Sequence, residues 1–469
     1  MADRNPPGPT VLRGGTVVDT RDGSLTRGMD VTLADGRIAA ITPAFDAAGD
    51  PGAPGSAAIV EAAGKYVIPG FLEMHTHVLG PKDPTRDLSL MLATGITGFR
   101  LMGGTAKLLK ERRDGTLPLS HDTPELLAMP GSVLNPANAG TVKAAVATVR
   151  EQQAAGADFI KTALVSPAVF FAAQAEAHRL GLPIVGHLPG GIDVRAASKA
   201  GIRSIEHLGP GTGVLAGCST DEAEIRRTLA AHPAIKAPPF RIPFADQVMG
   251  PVIRKLVMNP VLRSSALDLR MLRRAIDTFD QSRAEELAAA FAADGTWHCP
   301  TLIRERTSEL SDAAEFRDDP NLGLMDADTV AEWRASARRF DALPAETRAT
   351  YRDAYDLQLR LTKLLDEAGV KLLAGSDACG AVWEVPGHSL HQEFDELARA
   401  GLSPLRVLQT TTLDAAEFLG LTERLGTVEA GKQADLVLLD ANPVESVQNL
   451  HGITGVVRAG RYHPAAELN

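Results

Sequence analysis

Thiols are scarce in this sequence: Cys218, Cys299 and Cys379 are the three cysteines among 469 residues. An odd, scattered set has neither the close Cys-x-x-Cys spacing of a thiolate zinc site nor the density of a secreted disulfide framework. It reads as structural thiols. Long apolar runs are lacking as well. The start, MADRNPPGPTVLRGG, carries no apolar segment behind its charges, and no later stretch offers the roughly 20 uninterrupted apolar residues that cross a bilayer. No membrane contact and a cytoplasmic location are therefore expected. A basic surplus is missing too. With a formal net charge of -10, the chain lacks the positive surface that attracts phosphates, which argues against nucleic acid as a partner and for a small-molecule substrate. There is no repeat of fixed period, no Gly-x-Ser-x-Gly elbow and no His-Glu-x-x-His helix, so serine-hydrolase and zincin chemistry find no support.

What is present is the composition of an ordinary folded enzyme, 44% hydrophobic and 23% charged, in a chain long enough for a barrel-sized domain plus a smaller one. From Val11 to about Ile68 the pattern is short β-like pieces broken by turn signals such as Asp35-Gly36, with a Gly/Pro/Ala loop, FDAAGDPGAPGSAA, in the middle. After Pro69-Gly70 apolar runs alternate with amphipathic segments, the rhythm of parallel strands and crossover helices. Strands are expected near 71–77, 96–102, 126–134, 158–164, 183–188, 203–208, 296–302 and 371–377. Eight such units specify an α/β fold, a (β/α)₈ TIM barrel. SPAVFFAAQAEAHRLG and DLQLRLTKLLDEAG read as helices that end in glycine. The connections 209–295 and 303–370 are too long for simple crossovers and read as helical insertions over the active face. Past residue 420 short strands return, so 1–68 and 420–469 are expected to pair into one small β-sandwich domain beside a barrel of 69–419.

FLEMHTH is the sharpest local signal, because alternation along a strand points His75 and His77 to one face at its end. Two imidazoles converging at the C-terminal mouth of a barrel suit a divalent metal. Lys161 in GADFIKTAL, His187 in PIVGHLPG, His207 in SIEHLGP and Asp377 in LLAGSDA each follow an apolar run at a later strand end. Any one alone would be a core or solvated residue. Together they would ring a single mouth.

In these motifs, and in GHSLHQEFDELARAGLSPLRVLQTTTLDAAEFLG and LGTVEAGKQADLVLLDANP, the chain resembles the amidohydrolase superfamily, within it the imidazolonepropionase-like and metal-dependent Xaa-Pro dipeptidase-like branch. The resemblance covers nearly the whole chain. It implies two divalent metal ions, zinc by expectation, with His75, His77 and Asp377 on one, His187 and His207 on the other, and Lys161 between them. Lysine can bridge only as a CO₂-derived carbamate, since a free ammonium has no lone pair. Two such ions would acidify a shared water, and Asp377 is the catalytic candidate for taking its proton and handing it to the leaving group. The implied reaction is hydrolysis of an amide bond in a small carboxylate-bearing molecule: a dipeptide, an N-acyl amino acid, or an amide-linked toxin such as ochratoxin. Opening of a cyclic amide or imidazolone ring, deamination, and lactone or carbamate ester hydrolysis remain alternatives, as does a non-enzymatic barrel serving as an assembly surface. Barrels of this kind commonly associate, which leaves a homo-oligomer open.

His298 on the seventh expected strand, Arg304 just after it, and His388 after the eighth are candidates for facing substrate, with Arg100 at the second strand's end a further one. His391 reads as a helix residue, and His121, His178, His232, His451 and His463 as solvated ones. GPGTGVLAG after His207 lacks the order of a phosphate loop and reads as a flexible active-site loop. Peptidase-like relatives often carry a carbonyl-polarising histidine near the third strand; LLAMPGSVLNPANAG offers Asn135 and Asn138 instead.

Overall fold

The computed structural model describes residues 8–44, 57–232 and 257–468. The stretch FDAAGDPGAPGSAA falls almost wholly outside these, as does 233–256 within the first long connection. The chain opens with β1 (Thr10–Val18), β2 (Leu25–Ala34), β3 (Arg37–Pro43), β4 (Ala58–Glu61) and β5 (Tyr66–Pro69). Next come β6 (Phe71–Thr76), β7 (Ile96–Leu101), β8 (Glu125–Ala128), β9 (Ile160–Thr162), β10 (Ile184–Gly186), β11 (Ser204–Glu206) and β12 (Trp297–Cys299). Near the C-terminus lie β13 (Leu436–Leu439), β14 (Ile453–Arg458) and β15 (Arg461–Pro464).

The two ends of the chain share one eight-stranded sheet in the order β15-β14-β13-β5-β1-β2-β3, with β4 beside β1. Asp35 and Gly36, both at positive φ (52° and 74°), make the two-residue turn between β2 and β3, as their twist-matched geometry favours. The seam between the ends is β5 against β13, antiparallel, pairing Val437 with Ile68 and Leu438 with Val67. Period-two alternation divides these residues between two cores. Val67, Leu436 and Leu438 join Leu12, Val31, Leu33 and Ile38 in the sheet's own core, while Ile68, Val437 and Leu439 turn into the main core of the chain.

All pairings among β6 to β12 are parallel, in the orders β6-β7-β8 and β12-β11-β10-β9. Parallel bridges Pro130↔Phe159 and Leu134↔Thr162 carry the first set on to the second. The strands are shorter than the sequence suggests, and the eighth expected one, 371–377, is not a regular strand. It runs between β12 and β6, bridged at His298↔Leu372 and bonded from Met74 N to Ala374 O (3.0 Å) and from Asp377 N to His75 O (2.7 Å). Its ladder is broken because a side chain takes part of it: the Glu73 carboxylate accepts from Ser376 N (3.0 Å) and Ser376 Oγ (2.7 Å).

Helices connect the parallel strands, among them Thr85–Ala93, Val142–Ala154, Pro167–Arg179 and Gln281–Asp294. Pro167–Arg179 shows why the boundaries fall where they do: the Ser166 side chain caps Val169 N, Pro167 opens the first turn, and Gly181 follows at φ 72°. The connection 303–370 is helical as expected, with Leu302–Glu309, Ala314–Arg317, Ala327–Asp341 and the 23-residue Ala345–Glu367. Within GPGTGVLAG, residues Gly213–Gly217 form a short helix whose Val214, Leu215 and Ala216 enter the main core. Apolar burial thus fixes that segment, which corrects the expectation of a flexible loop. No helix among the described residues is long and apolar enough to cross a membrane.

Candidate metal centre

All six residues singled out by the motifs lie in or just past the parallel runs, and the structure gathers them into one group. His75, in β6, is fully buried, and His77 follows just past the strand. The Nε2 atoms of both stand 3.1 Å from Asp377 Oδ1. Asp377 is held above them because its run is laced to β6 on both sides, from Asp377 N to His75 O and from His77 N to Ala378 O (2.5 Å). Lys161, the middle residue of β9, is 3% exposed and brings Nζ to 3.0 Å from His75 Nε2. His207 Nε2 lies 3.8 Å from Asp377 Oδ2. Its ring is 4.7 Å from that of His75 and 5.0 Å from that of His187, which stands just past β10 and completes the group.

Backbone strain accompanies this convergence. Leu164, His207, Leu208, Thr301 and Asp377 follow the fourth, sixth, seventh and eighth parallel runs and all adopt positive φ, from 48° to 63°. Non-glycine residues cost about 1–3 kcal/mol each in such conformations and persist where the surroundings over-determine them. The turn at His207 also breaks strand alternation, so that Glu206 and His207, neighbours in sequence, both reach His75.

The electrostatics favour lone pairs over protons. Burial, followed by the charge of Lys161, pushes His187 down to about 3. Burial likewise holds His77 down to about 4 and His207 well below the usual histidine range. Burial also lowers Lys161, against the attraction of Asp377 and Glu206. Although burial acts to raise it, Asp377 is held well below the usual carboxylate range by His75 and His207. The donor atoms of His75, His207 and Asp377 all lie within 4.8 Å of one another. Asp377 Oδ1 is buried between the Nε2 atoms of His75 and His77, each 3.1 Å away. Imidazole nitrogens and a carboxylate oxygen converging on one point fit a divalent cation with nitrogen and oxygen ligands.

The other candidates divide. Arg304 reaches the centre, but its guanidinium is occupied: Nε by Asp377 Oδ2 (3.1 Å), Nη1 by Ser308 Oγ (2.6 Å) and Nη2 by Val257 O (2.6 Å), with Glu384 at 3.6 Å. His298 does not face the centre. Trp297 and Cys299 on either side of it pack with Leu72, Met74 and Leu373, so alternation turns His298 the other way, against Phe291 at 4.7 Å, fully buried. His388 is half-buried at the start of helix His388–Arg399, and the charged groups that act on it are Asp319 and His451, outside the constellation. His391, a helix residue as expected, bonds Thr94 O at 2.8 Å. Asn135 and Asn138 are spent on their own loop, Asn138 Oδ1 accepting from Asn135 N and both side-chain amides donating to Val133 O. Cys218, Cys299 and Cys379 are unpaired.

Sequence reasoning missed Glu206 and Glu73. Glu206 Oε2 sits 2.7 Å from His75 Nδ1, and Glu73 Oε1 accepts from His75 N at 3.0 Å. Burial pushes Glu73 up to about 7. The spacing of two from His75 was the signal available for Glu73; for Glu206 strand alternation offers none, since it sets neighbouring residues on opposite faces.

Residues 358–462 match the model of the amidohydrolase family. Along the whole chain, the structure superposes on a bottromycin amidohydrolase with TM-score 0.68 at 24% identity, covering 98% of this chain and 88% of that one. The chain has the amidohydrolase fold. A Xaa-Pro dipeptidase with methionine bound in its active site superposes with TM-score 0.62 at 17% identity, over 97% of this chain and 100% of the other. Among curated sequences, an adenine deaminase from Moorella thermoacetica is 22% identical over 434 residues, 92% of this chain. The chain spans about half of that relative's length, 54%.

Proposed function

We propose that the chain is a dinuclear metal-dependent hydrolase that cleaves an amide bond in a small carboxylate-bearing molecule, such as a dipeptide, an N-acyl amino acid or an amide-linked toxin of the ochratoxin type. The observation that carries this reading is Lys161, a buried amine 3.0 Å from His75 Nε2 amid three more imidazoles. An ammonium there would be desolvated and would repel any cation held by the histidines. As a carbamate the same side chain is an anion that bridges two ions. Burial keeps the amine toward the neutral form that captures CO₂.

In this reading the parallel strands close as a (β/α)₈ barrel, supported by the bonds that link Met74 and His298 through residues 372–374. The sheet formed by both chain ends is its accessory domain. His75, His77 and Asp377 would hold one ion and His187 and His207 the other, with Lys161 contributing to both. Bound there, zinc or a similar divalent ion supplies an acidified water and a Lewis acid for the scissile carbonyl. The chain's own part is proton handling and shape. Asp377, kept anionic, takes the proton of the attacking water and delivers it to the departing amine. Arg304 Nε donates to Asp377 Oδ2, which fixes the orientation of the carboxylate.

The match to an adenine deaminase over 92% of this chain supports a second reading, a mononuclear deaminase or cyclic-amide hydrolase in which Lys161 is unmodified. Elemental analysis of the purified protein, followed by a screen of N-acyl amino acids, dipeptides, lactones, cyclic amides and aminopurines, separates the two. Two metals per chain with amide turnover, lost on chelation and restored by metal, is the expected result. One metal with deamination or ring opening would replace the first reading by the second.

A further inference from the structure

Beneath the constellation lies a buried charge pair that no metal-ligand motif declares. Glu206 is fully buried, and its two oxygens accept from Arg100 Nη2 at 3.1 and 3.2 Å and from Ser204 Oγ. Arg100, also fully buried, is fixed in turn: Nε donates to Met74 O at 2.5 Å, and the guanidinium lies over the Phe418 ring at 4.9 Å. Glu206 Oε2 then meets His75 Nδ1 at 2.7 Å. A carboxylate locked to an arginine can only accept, so Nδ1 of His75 must carry a proton and Nε2 is the nitrogen left to face the centre. On the opposite side of the ring, Nε2 faces both Lys161 Nζ at 3.0 Å and Asp377 Oδ1 at 3.1 Å. Among the four imidazoles, His207 has only a hydroxyl at hydrogen-bonding distance on its outer nitrogen, Thr301 Oγ1 at 2.5 Å, itself donating to Pro300 O.

We propose that Glu206, anchored by Arg100, is a positioning residue that locks His75 in the Nδ1–H form and sets the affinity of the metal position to which His75 belongs. The inference rests on the dinuclear reading for its metal consequence and on geometry alone for its tautomer. A carboxylate behind a ligating imidazole both orients the ring and strengthens it as a donor, and removing such a partner typically costs 10–100-fold in metal affinity. Glu206→Gln keeps the shape but has one acceptor oxygen for three donors, Arg100, Ser204 and His75. With that oxygen on Arg100, the amide N–H faces Nδ1, forces the proton to Nε2 and takes away the ligating lone pair.

The test uses the metal-free full chain. Nitrogen-15 NMR of its histidines, with His75 assigned by its loss in His75→Gln, should report Nδ1–H in wild type. Zinc competition against a chromophoric chelator should find two ions in wild type, and in Glu206→Gln one ion weakened 10–100-fold with the other little changed. A wild-type His75 whose Nδ1 carries no proton overturns the proposal even if Glu206→Gln fails to fold. So does unaltered affinity for both ions in a folded Glu206→Gln. A wild type that binds no zinc overturns the dinuclear reading instead, and the tautomer still decides the role of Glu206.

Discussion

Replacing Arg100 by methionine should destabilise the chain by about 3–5 kcal/mol, the usual cost of removing one partner from a buried ion pair. The structure says why the upper part of that range applies. Both partners are fully buried, so Glu206 would keep its charge with Ser204 Oγ and His75 Nδ1 as its remaining partners. Met74 O would also lose its bond from Nε. Methionine retains much of the stem packing, so the loss is electrostatic rather than a cavity. Against a domain stability of about 5–15 kcal/mol, this is enough to shift a urea midpoint visibly or to abolish the folded state. The informative experiment is a double-mutant cycle with Glu206→Gln, read in urea unfolding of the metal-free protein. Arg100→Met combined with Glu206→Gln leaves no stranded charge, so its cost should fall below the sum of the single costs by about 2 kcal/mol or more. Additive costs, or a loss under about 1 kcal/mol for Arg100→Met alone, would refute the view that these two side chains form one electrostatic unit.

Lys161→Ala should retain at most one metal by elemental analysis and lose most turnover, with partial return on adding a short carboxylic acid; undiminished turnover excludes the carbamate. Gly375→Ala should disrupt the centre, since a Cβ there would lie 2.6 Å from His75 Cβ and 2.8 Å from Cys299 Sγ and His75 N; a cost of about 1–3 kcal/mol together with lost metal binding is expected, and normal zinc affinity would contradict it. His298 and His391 are each lowered by burial to about 3, outside the centre. Their folded values lie below the unfolded one, so the unfolded state binds protons that the native state does not, and stability is full above about pH 6.5 and falls below it by about 1.4 kcal/mol per unit for each group. His298→Leu, which also removes two unpartnered buried nitrogens, should be neutral or stabilising at pH 7 and should flatten the acid limb of urea midpoints between pH 6.5 and 5; an unchanged slope would show that the wild-type ring is not buried neutral.

How legible these features are depends on how local their causes are. His75, Lys161, His187, His207 and Asp377 could be read because each follows an apolar run whose burial fixes the strand end. The Asp35-Gly36 turn and the glycine that ends helix Pro167–Arg179 were readable for the same reason, each being determined within a few residues. Glu206 was not, because positive φ at His207 breaks the alternation on which face assignment relies. His298 was misassigned because the face of a three-residue strand is set by what its neighbours pack against, here Trp297 and Cys299 in a shared cluster with Leu72 and Met74. The eighth run escaped description as an irregular segment since its bonds go to Glu73, 303 residues away in sequence.

The paired chain ends bear on the centre more directly than their distance in sequence suggests. β5 and β6 are separated by one residue, Gly70, whose N–H donates to Asp435 O across the seam at 2.8 Å. A Cβ at that position would fall 2.1 Å from Thr97 Oγ1, so β6 leaves the sheet at a point where backbone and β7 are in close contact. His75 therefore stands five residues from an anchor built from both termini, and Asp435 is itself pinned by Arg458 Nη1 at 3.1 Å and by Ala459 N at 2.7 Å. Glu73 and Glu206 then fix the histidine from its backbone and its ring. Removing β13 to β15 should release β6 before it disturbs β9 to β12, and hydrogen exchange of the chain cut after residue 420 should show early loss of protection at residues 71–76. Protection lost uniformly across all the parallel strands would mean that the seam stabilises the fold as a whole rather than the strand that carries His75.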